Sequence, residues 1–249
     1  MDEREYPIGK HLAELRKRII LSVVGFIVMG FVAYIVSDHI LWWLRRPIEN
    51  ILGQATHFVV LTPHEKFFAQ MKVSLAGGLF FAAPWIFYQL WMFVAPGLYK
   101  QEKKSALSFA FAAGGFFLLG GAFGYYVVFP PMFEYFIGTL PPGVEGFFSV
   151  GLMYGFAVWM LLAFGISFET PVLVFVLAAL GFVEIEDFKK ARRYVIVAAF
   201  VLGAILTPSP DPLSQTLMAV PMILLYELGV WAASILLKKN ASNTSAAHT

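Results

Sequence analysis

The sequence predicts an all-α integral membrane protein with six transmembrane helices and both termini in the cytoplasm. Of its 249 residues 59% are hydrophobic and the mean hydropathy is +0.73, well above the roughly 45–50% apolar share of soluble domains. Six apolar segments follow one another, and helices are the open-ended way to satisfy a backbone inside hydrocarbon. Fourteen of the eighteen Lys and Arg fall in the arm before the first segment, in alternate connections and in the tail. An excess of Lys and Arg marks the cytoplasmic side, so the chain reads as N-in, C-in with an even number of spans.

The segments cover residues 19–36, 74–94, 106–129, 151–182, 194–206 and 215–237. Together they make a transmembrane domain over 19–237, preceded by a cytoplasmic arm (1–18) and followed by a small, polar tail (238–249) expected to be disordered. The first four reach the roughly 20 residues needed to cross a core about 30 Å thick. The fifth is short and needs local thinning or protein cover. The fourth is too long for a straight crossing, which implies tilt, projection into solvent or a kink near Pro171. The connection 37–73 is long and apolar, with Trp42 and Trp43 suited to an interfacial belt, and short helices along the outer surface are expected there. A charged N-terminus without a small-residue cleavage pattern reads as a retained first span.

Between residues 146 and 183 Glu169 is the only formally charged side chain. A carboxylate at the bilayer centre costs about 2.5–3.5 kcal/mol on insertion scales and generally faces a bundle interior or a wet cavity. Two readings stand: a functional polar site, or a buried acid held by a hydroxyl or a carbonyl freed by Pro171. In the arm HLAELRKRIILS, Glu14 and Arg18 are an i,i+4 pair. The arm is either a positive-inside anchor or the carrier of an acidic contact on the cytoplasmic face. In FVAPGLYKQEKK, Glu102 stands beside Lys103 and Lys104, either as a solvated loop charge or as a second acid on that face. Two carboxylates there would suit two guanidiniums, because Arg meets carboxylates in a bidentate way. Glu227 reads as an acid near enough to the cytoplasmic end to reach water or a basic loop. Asp211 precedes the last helix and suits a cap, and Tyr126 reads as an interfacial aromatic. Catalytic patterns are missing: the five His are scattered, there is no phosphate loop and no G-x-S-x-G. No enzyme, cofactor, metal site or nucleic-acid partner is expected, and any driving energy must come from elsewhere.

HLAELRKR, FVAPGLYKQEKK, YYVVFPPMF, SFETPV and RRYVIVAAFVLGAILTPSPDPLSQTLMAVPMILLYE together resemble TatC, the multi-spanning subunit of the twin-arginine protein translocase, in order and from about residue 8 to 237. The resemblance implies a concave bundle of six helices with the last two short, in the cell inner membrane. It implies a receptor for twin-arginine signal peptides on folded cargo, which recruits single-span TatA/TatB-type subunits into a multimeric complex among membrane lipids, with transport powered by the protonmotive force. By motif, Glu14, Glu102 and Phe93 match the signal-peptide site, Pro47 an outer-loop position tied to transport, and Tyr126 and Asp211 positions on the outer side. Glu169 matches the acid of the family's F-E-x-P motif, an intramembrane polar site able to contact a partner helix. The competing reading is a proton- or cation-coupled secondary transporter with Glu169 as its midplane site; a scaffold that gathers other helices is a third.

Overall fold

A computed structural model describes residues 8–52, 57–94, 106–139, 141, 147–179, 181–206 and 211–246. The chain is mostly helical: α1 (Ile8–Ile35), α2 (Ser37–Leu52), α3 (Glu65–Val94), α4 (Ala106–Phe123), α5 (Phe129–Gly138), α6 (Val150–Phe168), α7 (Thr170–Ala179), α8 (Ile185–Leu206) and α9 (Pro212–Ala246). Among the described residues five stretches are long and apolar enough to cross a membrane: His11–Ile35, Glu65–Phe93, Ala110–Gly138, Val150–Ala178 and Pro212–Ile235. The remaining long helix, α8, opens with Glu186, Asp187, Lys189, Lys190, Arg192 and Arg193. Only its second half is apolar, as the short fifth segment anticipates.

Several boundaries differ from the sequence reading. The arm is not separate from the first span, because α1 begins at Ile8 and runs unbroken to Ile35. The third segment does not stop at Phe129. A π-helical turn (Gly124–Val128) carries the chain directly into α5, with the Phe129 N–H donating to the Gly124 carbonyl. Pro130 and Pro131 then occupy the first turn of α5, where a missing N–H costs little. The tail is helical to Ala246, past the expected end at Leu237, since neither Gly nor Pro follows Gly229 to end the helix.

The fourth segment breaks between α6 and α7. Glu169 is the C-cap of α6, its N–H donating to Ile166 and Ser167 carbonyls, and Pro171 has no N–H with which to continue the ladder. The kink lies where Pro171 predicts it.

The helices pack through glycines that let backbones approach. A Cβ on Gly78 would lie 2.5 Å from the Gly30 Cα, and one on Gly120 would lie 2.9 Å from the Gly165 Cα. The larger core lies away from the start of α1 and gathers Leu44 and Ile48 of α2, Val73 of α3, Phe129 and Met132 of α5, Met160 and Phe164 of α6, and Met218 of α9. A smaller one joins Val174, Phe188, Tyr226 and Val230 of α7, α8 and α9. Large apolar side chains such as Ile27, Phe31, Ile166 and Trp231 point outward, as a lipid-facing surface requires.

Sequence patterning gave no sign of the small sheet found among the described residues. Strand β1 (His57–Val59) pairs in parallel with β2 (Phe147–Ser149), His57 opposite Phe147 and Val59 opposite Ser149. Three residues are too few for a period-2 signal, and the partners are distant in sequence.

Candidate functional site

The first helix touches the bundle mainly along α3, and the two run antiparallel. From one end to the other, the seam reads Ala33 near Gly77, Gly30 against Gly78 and Gly25 against Trp85. The Trp85 indole N–H then donates to the Leu21 carbonyl at 3.0 Å. Beyond it the Arg18 guanidinium donates to Gln89 Oε1 at 3.0 Å, and His11 stacks on Phe93 with ring centroids 4.5 Å apart. Close backbone packing thus gives way to polar and aromatic locks toward the start of α1.

Those locks position Glu14. Its carboxylate meets Arg18 at 3.4 Å, long for a charge-assisted hydrogen bond, which is typically about 2.7–2.9 Å. Arg18 is 18% exposed and Glu14 35%. Gln89, buried at 1% exposure, holds Arg18 at the shorter distance, so Glu14 keeps acceptor capacity at a half-open surface. Isolated i,i+4 pairs are worth about 0.3–0.5 kcal/mol, so Arg18 commits little of the Glu14 carboxylate. Phe93 is half-buried on the same end of the seam. Gln89 escaped the sequence reading because an amide inside an apolar run carries no charge signal; its spacing of four before Phe93 was the available clue. Glu102 lies outside the described residues.

At the opposite end of α3 Glu65 is a second organising acid that sequence reasoning missed. Its carboxylate accepts from the Leu61 N–H at 2.5 Å, the Thr62 N–H at 3.4 Å, the Gly151 N–H at 2.6 Å and the Ser149 hydroxyl. Glu65 therefore ties the turn that leads into α3 to an orphan donor at the start of α6, and Ser149 caps α6 by accepting from the Leu152 N–H. A Cβ on Gly151 would fall 2.6 Å from the Glu65 Cγ, so only glycine admits this acid. The early-turn Glu was the visible signal, but its second helix is distant in sequence.

Pro47 and Tyr126 belong to one aromatic assembly. Inside α2 Pro47 has no N–H to offer the Trp43 carbonyl four residues back. The Tyr125 hydroxyl, on the π-helical turn, supplies the donor at 2.5 Å. Tyr125 also stacks on Trp43 with centroids 3.7 Å apart, and Tyr126 meets Trp43 edge-on at 6.3 Å. Tyr126 itself is exposed.

Glu169 sits at the break between α6 and α7, half-buried. Its Oε1 is enclosed with no hydrogen-bond partner among the described residues. Asp211 caps α9, accepting from the Ser214 N–H at 2.8 Å, which is the capping role the sequence suggests. Glu227 pairs with Arg192 at 2.7 Å, reaching the basic start of α8 as expected. The structure thus puts Glu14 and Phe93 at the same end of the α1–α3 seam, gathers Pro47 and Tyr126 elsewhere, and leaves Glu169 and Asp211 as separate positions. No group of His, Asp and Glu suited to a metal occurs among the described residues.

Residues 10–221 match the family model described as Sec-independent protein translocase protein (TatC). Proteins of that description from Magnetococcus marinus and Escherichia coli K12 are 39% and 37% identical to this chain, over 98% and 92% of it and 90% and 88% of their own lengths. The relative from Aquifex aeolicus is 34% identical, over 94% of this chain and 97% of its own. A crystal structure of the twin-arginine translocase receptor TatC superposes with a TM-score of 0.81 at 34% identity, covering 90% of this chain and 98% of that one. The chain, with its apolar helices and its kinked α6–α7 pair, belongs to the TatC family of Sec-independent protein translocase components.

Proposed function

We propose that this protein is the receptor for twin-arginine signal peptides and the core of a translocase that moves folded proteins across the inner membrane on the protonmotive force. In this reading the chain crosses six times, N-in and C-in, as a concave bundle, and α8 with its short apolar half supplies one crossing. The observation that carries the proposal is the Glu14 corner: a half-open carboxylate that shares Arg18 with Gln89 and holds it only at 3.4 Å, at the same end of the seam as Phe93 stacked on His11. A planar guanidinium of the ligand takes the free acceptor positions of Glu14, and Glu102 on the adjoining connection takes the second arginine. Phe93 gives the signal peptide an apolar contact.

Single-span TatA/TatB-type subunits join this receptor in a multimeric complex. Glu169, with an enclosed oxygen and a broken helix around it, is the position for contact with a partner's transmembrane helix. Pro47, Tyr126 and Asp211 act on the outer side. The secondary-transporter reading of Glu169 is not favoured, because the matching relatives are protein translocase components.

The test is site-specific crosslinking of a twin-arginine signal peptide and a twin-lysine control in membranes, with Glu14→Ala and Glu102→Ala alongside. Lysine lacks the planar fork that paired carboxylates select. Crosslinks that need both arginines and both glutamates are expected. Equal labelling by the two peptides, or labelling unchanged in both variants, would sink the receptor assignment.

A further inference from the structure

Two cavities meet at Trp43 and Tyr126. One, about 400 Å³, is walled by apolar side chains of α3 and α4 such as Val73, Phe80, Leu118 and Ala122. The other, about 660 Å³, contains Arg46, Asn50 and Glu134. Both volumes are of the size that small-ligand sites occupy. Trp43 and Tyr126 line both cavities, so an apolar slot and a polar chamber share one aromatic wall. Rings of this kind sit at the headgroup level of a membrane.

The chamber holds one charge of each sign. Arg46 lies over the Trp42 ring, 4.0 Å from its centroid, and both Arg46 and Glu134 are exposed. The neighbouring Arg45 is paired with Glu49 at 2.8 Å. Among the described residues neither Arg46 nor Glu134 has an ion-pair partner. An apolar slot opening beside one cation and one anion is complementary to a molecule with a hydrocarbon tail, an anionic group and a cationic tip.

We propose that the paired cavities seat one phospholipid with a primary ammonium headgroup. Its acyl chain fills the slot, its phosphate meets Arg46 and its ammonium meets Glu134. The planar guanidinium suits phosphate, and a primary ammonium has three donors for the carboxylate. A choline headgroup has no such donor, and a headgroup with only negative charge leaves Glu134 unmatched. A transmembrane helix of a partner would cover the slot but leave both charges of the chamber unanswered. The proposal goes beyond signal-peptide recognition and does not depend on it.

Native mass spectrometry of the purified, delipidated chain tests the headgroup. Phosphatidylethanolamine, phosphatidylcholine and phosphatidylglycerol with identical acyl chains are added to wild type, Arg46→Gln and Glu134→Gln. One phosphatidylethanolamine per chain is expected, preferred roughly tenfold or more over the other two, the factor one charge-assisted contact supplies. Arg46→Gln should weaken retention of all three lipids, and Glu134→Gln should erase the preference. A diazirine on the acyl chain of phosphatidylethanolamine should label peptides containing Phe80 and Leu118, and Ala122→Phe should block that label. Equal retention of the three lipids, or label spread evenly over α1 and α8, would overturn the proposal. So would a slot that takes no lipid and becomes protected only when a single-span partner is added. The two charge variants alter exposed side chains and keep the test decisive even where Ala122→Phe fails to fold.

Discussion

Removing one hydroxyl, in Tyr125→Phe, isolates a single contact between α2 and the π-helical turn. Tyr125 is 3% exposed and stacks on Trp43, and phenylalanine keeps both the ring and the stack. What disappears is the donor to the Trp43 carbonyl at 2.5 Å. That carbonyl has no replacement within α2, because the residue four places on is Pro47. A fully buried acceptor left without a partner costs about 1–3 kcal/mol; the Trp43 carbonyl is part-buried, so Tyr125→Phe should destabilise the fold by about 1 kcal/mol, the low end of that range. The informative measurement is a double-mutant cycle with Pro47→Ala, which restores an N–H at the position the Trp43 carbonyl needs. Equilibrium unfolding in mixed micelles should give a smaller loss for Tyr125→Phe in the Pro47→Ala background than in wild type. The coupling expected for groups that share a partner is about 0.5–3 kcal/mol. Strictly additive losses would refute the account of why α2 tolerates its proline.

Gln89→Leu removes the acceptor that Arg18 bonds alongside Glu14. Arg18 should then close on Glu14, and twin-arginine peptide crosslinking at the start of α1 should fall several-fold, with Gln89→Glu retaining more of it, by the strength of a hydrogen bond to a charged group of about 1.5–3 kcal/mol. Undiminished crosslinking in Gln89→Leu would remove Gln89 from the site. Glu65→Gln puts a donor amide among four donors, the Leu61, Thr62 and Gly151 amides and the Ser149 hydroxyl. Hydrogen exchange at β1 and at the first turn of α6 should accelerate together while the α1–α3 seam stays protected. Acceleration confined to β1 would show that Glu65 does not tie the two segments.

Much of the architecture follows from local chemistry. Apolar runs long enough to cross hydrocarbon, the charged start of α8 and the helix break at Pro171 are all set by residues near in sequence, because hydropathy and a missing N–H act where they stand. The Asp211 cap and the pairing of Glu227 with the basic helix before it were legible for the same reason. Family motifs, not spacing and charge alone, pointed to the site proposed at Glu14 and Phe93. Other features depend on what faces what. Gln89 matters through Arg18, 71 positions away, and Glu65 through Ser149 and Gly151, 84 and 86 positions away. The third apolar segment ends at Phe129 in the sequence, yet a π-helical turn lets the helix continue into α5. Pro47 in α2 becomes tolerable only when Tyr125 arrives from the π-helical turn. The sequence by itself determined which segments become long apolar helices, since a backbone that is to lie in hydrocarbon must satisfy its own hydrogen bonds. Only the tertiary structure decided which polar groups answer one another, because a hydrogen bond needs its partner within about 3 Å and chain separation does not encode that distance.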